Sequence, residues 1–306
     1  SLKLTVLTDK LLRSWIRCRR KAWLDRHGDR KERLWTAHPS LQLEHEKKSF
    51  EAFLTSNPGR GLQGCKEGHS EILGITLKDE LSNGQLIKVH APLLQRTSGK
   101  SVWGEFRYRP VLSRQGKRTT KEIRQALALT AILLENLQES SVPNGIVVSK
   151  TNHGLEIDKI SIHQSLKKQL KRSLLMLGED LIKTLPPPIT SDRKKCSVCS
   201  WQSLCNSEAK SIGDLSEISG IGHRRREILK EIGIHKIIDL ANCTPSKLSK
   251  QLTNYENQTE TLAKQLVLQA KAQINQKAKR INHTETLPEI SSAPGILIYD
   301  IESDSD

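Results

Sequence analysis

The feature that most constrains this chain is a spacing of thiols. Cys196, Cys199 and Cys205 form a C-x2-C-x5-C pattern directly after the basic run Arg193, Lys194 and Lys195. Two sulfurs separated by two residues reach one centre because the backbone turns between them, and the third arrives from the start of the next helix. A fourth ligand is needed. Cys18 is the best candidate, because it sits among Trp15, Arg19, Arg20, Lys21 and Trp23, whereas Cys65 and Cys243 have no comparable surroundings. If Cys18 joins the other three, the fold must return residues 196–205 to the amino end across a very long loop. The thiols alone leave iron–sulfur, zinc and unrelated buried cysteines open. Six cysteines in 306 residues are too few for a disulfide scaffold, and clustered thiols in a reducing compartment more often bind metal.

Hydrophobic periodicity divides the rest. Thr8 caps a helix whose apolar positions run from Leu11 to Trp23 and stop at Gly28; further helices are expected at about 41–54, 120–138 and 163–183. Strand patterns fall at 70–77, 86–90, 103–112, 145–150 and about 155–160, and a proline run at 186–188 ends this α/β part. From residue 212 the pattern is all helical, and 278–294 is a polar linker. The expected domains are an α/β body over 1–208, an all-α domain over 209–277, and a further strand within 295–306.

Lys and Arg outnumber Asp and Glu by 49 to 34, a formal charge of +15, so the chain attracts polyanions and nucleic acid is the first partner to consider. Arg19, Arg20 and Lys21, with their neighbours on the first helix, form a basic stripe read as facing phosphate. The chain has no run of 18 apolar residues, and its first residues do not pattern as a signal peptide, which points to the cytoplasm and away from a membrane.

One cysteine near the amino end and C-x2-C-x5-C at the end of the same α/β body resemble the RecB-like nucleases, of the PD-(D/E)xK kind, that carry a 4Fe–4S cluster; the resemblance covers about residues 5–206. It implies a restriction-endonuclease-type core whose two ends are stapled by a cluster on Cys18, Cys196, Cys199 and Cys205. It also implies a centre in which a helical His, an Asp and an acidic-x-Lys strand hold Mg or Mn and activate water. His45, in Leu43-Glu44-His45-Glu46-Lys47, takes the helix position. The strand motifs depart from the pattern. His90-Ala91-Pro92-Leu93-Leu94 lacks the aspartate, and after Gly104 and Tyr108, Leu112 stands in the acidic place and Arg114 in the lysine's. Gln125 is followed by Leu129 where a tyrosine is usual. Leucine cannot ligate a hard cation, which leaves Glu105 as the nearby carboxylate. The expectation is a retained fold and cluster with a degenerate nuclease centre. Its rivals are an active exonuclease using His45 and Glu105, and a zinc-bound RNA-binding protein.

Residues 215–229, with Gly220-Ile221-Gly222 followed by Arg224, Arg225 and Arg226, resemble a helix-hairpin-helix. The glycines let the backbone approach a phosphate, and the arginines add charge, so non-specific DNA binding is expected, in the service of a helicase or nuclease located elsewhere. At the carboxyl end, Asp300 and Glu302 terminate an apolar run at spacing i, i+2 and so share a strand face. This resembles the first motif of RNase H-like, DEDD-type exonucleases. With four residues after Glu302, the expectation is an incomplete second site at the front of a longer protein, set against a plain acidic tail.

Overall fold

A computed structural model describes residues 6–276, and the chain divides between Ser211 and Ile212 into two compact units. Asp300, Glu302, their expected strand and the 278–294 linker lie outside the described residues.

The first unit opens with a short strand, β1 (Leu7–Thr8). The Thr8 hydroxyl accepts from Leu11 N at 3.1 Å and caps the helix that follows. Periodicity reads one helix up to Gly28. The structure has two, α1 (Asp9–Arg17) and α2 (Arg19–His27), broken at an extended Cys18. Then come α3 (His38–Phe53), β2 (Gly59–Arg60), α4 (Gly61–Glu67), β3 (Glu71–Glu80), β4 (Leu86–Thr97) and β5 (Arg107–Ser113). After these follow α5 (Lys121–Gln138), β6 (Asn144–Thr151), β7 (Gly154–Ser161), α6 (Gln164–Leu181) and α7 (Gln202–Ile212). Thr120 caps α5 and the His163 ring caps α6, each accepting from the backbone three residues on.

Among the described residues the strands form one seven-stranded sheet, ordered β2-β3-β4-β5-β6-β7, with β1 beside β4. β5 and β6 run parallel, joined by the α5 crossover, while β3–β4, β4–β5 and β6–β7 are antiparallel. The period-2 alternation of strands feeds two cores. Val111, Ile146 and Val148 pack with Leu93 and with Phe50 and Phe53 of α3, whereas Leu112 and Val147 join Leu127 and Leu134 of α5 and Leu170 and Leu177 of α6. The sheet is therefore covered by α3 on one face and by α1, α5 and α6 on the other, the α/β class expected. Each fully buried leucine contributes about 1.5–3 kcal/mol. A Cβ on Gly145 would stand 2.8 Å from the Leu127 side chain, so only glycine lets β6 lie this close to α5.

The second unit is helical among its described residues: α8 (His223–Glu231), α9 (Ile237–Ala241), α10 (Pro245–Leu252) and α11 (Thr259–Asn275) enclose Leu215, Leu229, Leu240, Leu248 and Leu266. Among the described residues no helix is long and apolar enough to cross a membrane.

Candidate functional site

Cys18 is the joint between α1 and α2; its backbone (φ −159°, ψ 118°) ends one helix and starts the next. Cys196 closes a 3-10 turn, Cys199 N–H bonds back to Cys196 O at 3.0 Å, and Cys205 stands at the start of α7. All four cysteines line one cavity of about 300 Å³, together with Arg20, Lys21, Leu24 and Trp201. Directed contacts hold the first two helices to this segment. Trp201 Nε1 donates to Asp25 Oδ1 at 2.8 Å, and Asp25 Oδ2 accepts from Ser14 Oγ at 2.7 Å and Lys21 Nζ at 2.6 Å. Arg20 pairs with Glu208, and Leu34 N–H reaches Ser200 O at 2.9 Å. A Cβ on Gly28 would meet the Trp201 ring at 2.6 Å, so this glycine admits the buried indole.

Burial pushes all four thiols up. Working against it, the backbone N–H groups of Lys21 and Arg20 favour the Cys18 thiolate, Trp201 N–H favours that of Cys199, and the Arg20 guanidinium that of Cys205. Donors of this kind orient and tune metal-bound sulfur. Among the described residues no three His, Cys, Asp or Glu side chains stand so as to hold a metal ion as they are.

Where the resemblance puts the nuclease centre, the structure places apolar side chains. Leu93, in the aspartate's segment, is 0% exposed, and Leu112 is 8% exposed. Arg114, in the lysine's place, is buried against Glu156 at 2.6 Å and Asp158 at 3.0 Å. His45 does reach this end of β5, but its Nε2 lies 2.8 Å from the Arg114 carbonyl oxygen and 3.2 Å from Ser149 Oγ. Glu105 precedes the opposite end of β5, exposed beside Lys100 at 3.5 Å. Seven strand residues, at ~3.3 Å each, put roughly 20 Å between the two ends, so His45 and Glu105 cannot share one ion and their pairing is corrected. Sequence reasoning passed over Glu46, the next residue after His45. Its carboxyl is pushed up by burial, against the pull of Arg13, Ser113 and His90, and its signal lay in the same motif.

The basic stripe is largely engaged. Arg13 and Arg17 both bond Glu122, at 2.8 and 2.5 Å, and Arg19 forks onto Asp180 at 2.6 and 2.7 Å. Lys21 holds Asp25, and Arg20, only 4% exposed, pairs with Glu208 and donates to Pro187 O at 3.0 Å. Arg19, Arg20 and Lys21 are braces between elements. Of the three read as facing phosphate, Arg20 is buried in its pair, while Arg19 remains exposed beside its carboxylate.

In the second unit the helix expected before the hairpin is a single 3-10 turn, Leu215–Glu217, capped by Asp214. Gly220 has φ +85°, which suits glycine. Gly222 has φ −80° and ψ −175°, open to any residue; a Cβ there meets nothing within 4 Å. Of the three arginines, Arg224 is exposed, with Nη2 3.4 Å from Tyr255 O. Arg225 forks onto Glu256 at 3.1 and 2.9 Å and donates to Gly220 O; Arg226, 2% exposed, pairs with Asp214. Arg225 and Arg226 thus support the turn, Arg226 from a buried position.

No protein-family model matches the chain, and no curated protein matches it.

Proposed function

We propose that this chain binds DNA without sequence preference, and that Cys18, Cys196, Cys199 and Cys205 hold a 4Fe–4S cluster fastening the two ends of a degenerate RecB-like body. The observation that carries the reading is that four thiols, from position 18 and from 196–205, line one cavity of about 300 Å³. A single zinc ion, ~2.3 Å from each sulfur, draws the sulfurs to within about 4 Å of one another. A cavity of about 300 Å³ between the four thiols has room for a group of several atoms. When bound, the cluster supplies a covalent tie between the two ends of the body. Asp25, Trp201 and Arg20 hold those ends in place, and the N–H groups aimed at Cys18 and Cys199 favour their thiolates.

The body itself does not cut phosphodiesters, because Leu93 and Leu112 offer no oxygen to a hard cation. The turn at Gly220 to Gly222 and the uncapped amino end of α8 make a helix-hairpin-helix-like contact whose N–H groups meet a phosphate, with Arg224 beside them. DNA so held would serve a helicase or nuclease acting elsewhere. Anaerobic purification with iron and sulfide assays tests the cluster: brown protein with about four of each per chain is expected. Colourless protein with one zinc overturns it.

A further inference from the structure

We infer that the loop between α2 and α3 is a contact for single-stranded DNA, with Trp35 as a stacking platform and Arg30, Lys31 and Arg33 as phosphate contacts. The inference rests on nucleic acid being the ligand of the chain, but it concerns residues of the first unit and not the Gly220 turn.

Trp35 is 82% exposed, the most exposed large apolar side chain among the described residues, and Leu34 beside it is 52% exposed. The charges around it differ from most of those on α1 and α2, where Lys10 and Arg26 are the exposed cations with no ion pair among the described residues. There Arg13, Arg17, Arg19, Arg20 and Lys21 are all matched by carboxylates. Arg30, Lys31 and Arg33 are exposed and form no ion pair among the described residues. The loop's own carboxylates are Asp29 and Glu32, and Asp29 Oδ1 accepts from Lys31 N–H at 3.0 Å. Cations left unmatched beside a bare indole are complementary to a strand whose backbone is anionic and whose bases have apolar faces.

The backbone that carries the platform is anchored. The 3-10 turn Arg30–Glu32 fixes the basic residues, and Leu34 N–H bonds Ser200 O at 2.9 Å, immediately before the indole. An anchored backbone leaves less conformational entropy to lose on binding. Single strands are favoured over duplex because only an unstacked base has a free face to lay on the indole.

The test uses the full chain, a labelled oligothymidylate and a duplex of the same length, read by fluorescence anisotropy. Trp35→Ala is expected to lower single-strand affinity about tenfold while leaving duplex affinity within about twofold; Trp35→Phe retains most of it, since phenylalanine also stacks. The salt dependence is unchanged in Trp35→Ala, but alanine at Arg30, Lys31 or Arg33 flattens it by about 0.7 log unit for each phosphate that is no longer neutralised. Unchanged single-strand affinity in Trp35→Ala overturns the proposal, as does an equal loss for both DNA forms. Binding to vesicles of phosphatidylcholine and phosphatidylglycerol that disappears in Trp35→Ala, with DNA binding intact, also overturns it and assigns the patch to a membrane surface. A wild-type chain that binds neither DNA form defeats the DNA-binding reading itself, whereas duplex binding with no Trp35 effect defeats this inference alone.

Discussion

Asp180 is 1% exposed and bonded by Arg19, Trp15 and Lys183. Burial pushes its carboxyl up, but these three donors outweigh it and hold the group at about 2. Because the folded value lies below the unfolded one of about 3.9, the stabilisation is complete above that pH and is lost as pH falls toward 2. We expect this carboxylate to add about 2 kcal/mol near neutrality. Urea midpoints measured from pH 6 to pH 2 should show the acid loss, and Asp180→Asn should be less stable at pH 6 with a flatter profile. Arg226 makes a second residue-scale case. Removing it strands a buried Asp214, so Arg226→Ala should destabilise the second unit by about 3–5 kcal/mol, while Arg224→Ala changes stability by less than about 0.5 kcal/mol. Thermal melts decide, and an Arg226→Ala protein that melts normally yet loses DNA affinity would return this residue to the phosphate contacts.

Among the elements, the Gly220 to Gly222 turn separates a structural glycine from a ligand-facing one. Gly220→Val forces a side chain into φ +85° and should cost about 1–2 kcal/mol. Gly222→Val meets no backbone strain and its Cβ no neighbour, so its cost should be confined to a poorer N-cap for α8, about 1 kcal/mol or less. If DNA phosphate approaches here, that variant loses affinity all the same. Unchanged affinity in folded Gly222→Val would move the DNA contact away from this turn. The segments that resemble nuclease motifs belong to this scale too, since β5 carries Leu112 at one end and follows Glu105 at the other. No Mg- or Mn-dependent cleavage is expected from the wild type, and cleavage abolished by His45→Ala would defeat the degenerate reading.

For the molecule as a whole, Cys18 is the position whose loss reaches furthest. Cys18→Ser should bleach the protein and destabilise the first unit by several kcal/mol, on the order of what a covalent tie across a loop this long contributes. Calorimetry should show the second unit melting as before, because its core of Leu215, Leu229, Leu240 and Leu266 is its own. A Cys18→Ser protein that keeps full iron and sulfide would remove Cys18 from the ligand set.

Much of this fold was legible in the order of residues because its signals are local. The cap Thr8, the helix starts at 120 and 163, the apolar faces of α5 and α6, the strand patterns and the C-x2-C-x5-C spacing each act within a few positions of themselves. That Leu93 and Leu112 are apolar could be read in the same way. The break between α1 and α2 could not, since no proline or glycine marks it; the contacts that hold α2 against Trp201 and Glu208 formed only in the folded unit. Charge hid the most. Arg13, Arg19 and Arg20 look like free cations along the chain, and their partners Glu122, Asp180 and Glu208 stand more than a hundred positions away. A carboxylate neutralises whatever lies within a few ångströms of it, whatever the distance in sequence, so only the tertiary structure decided which cations were left to meet a ligand.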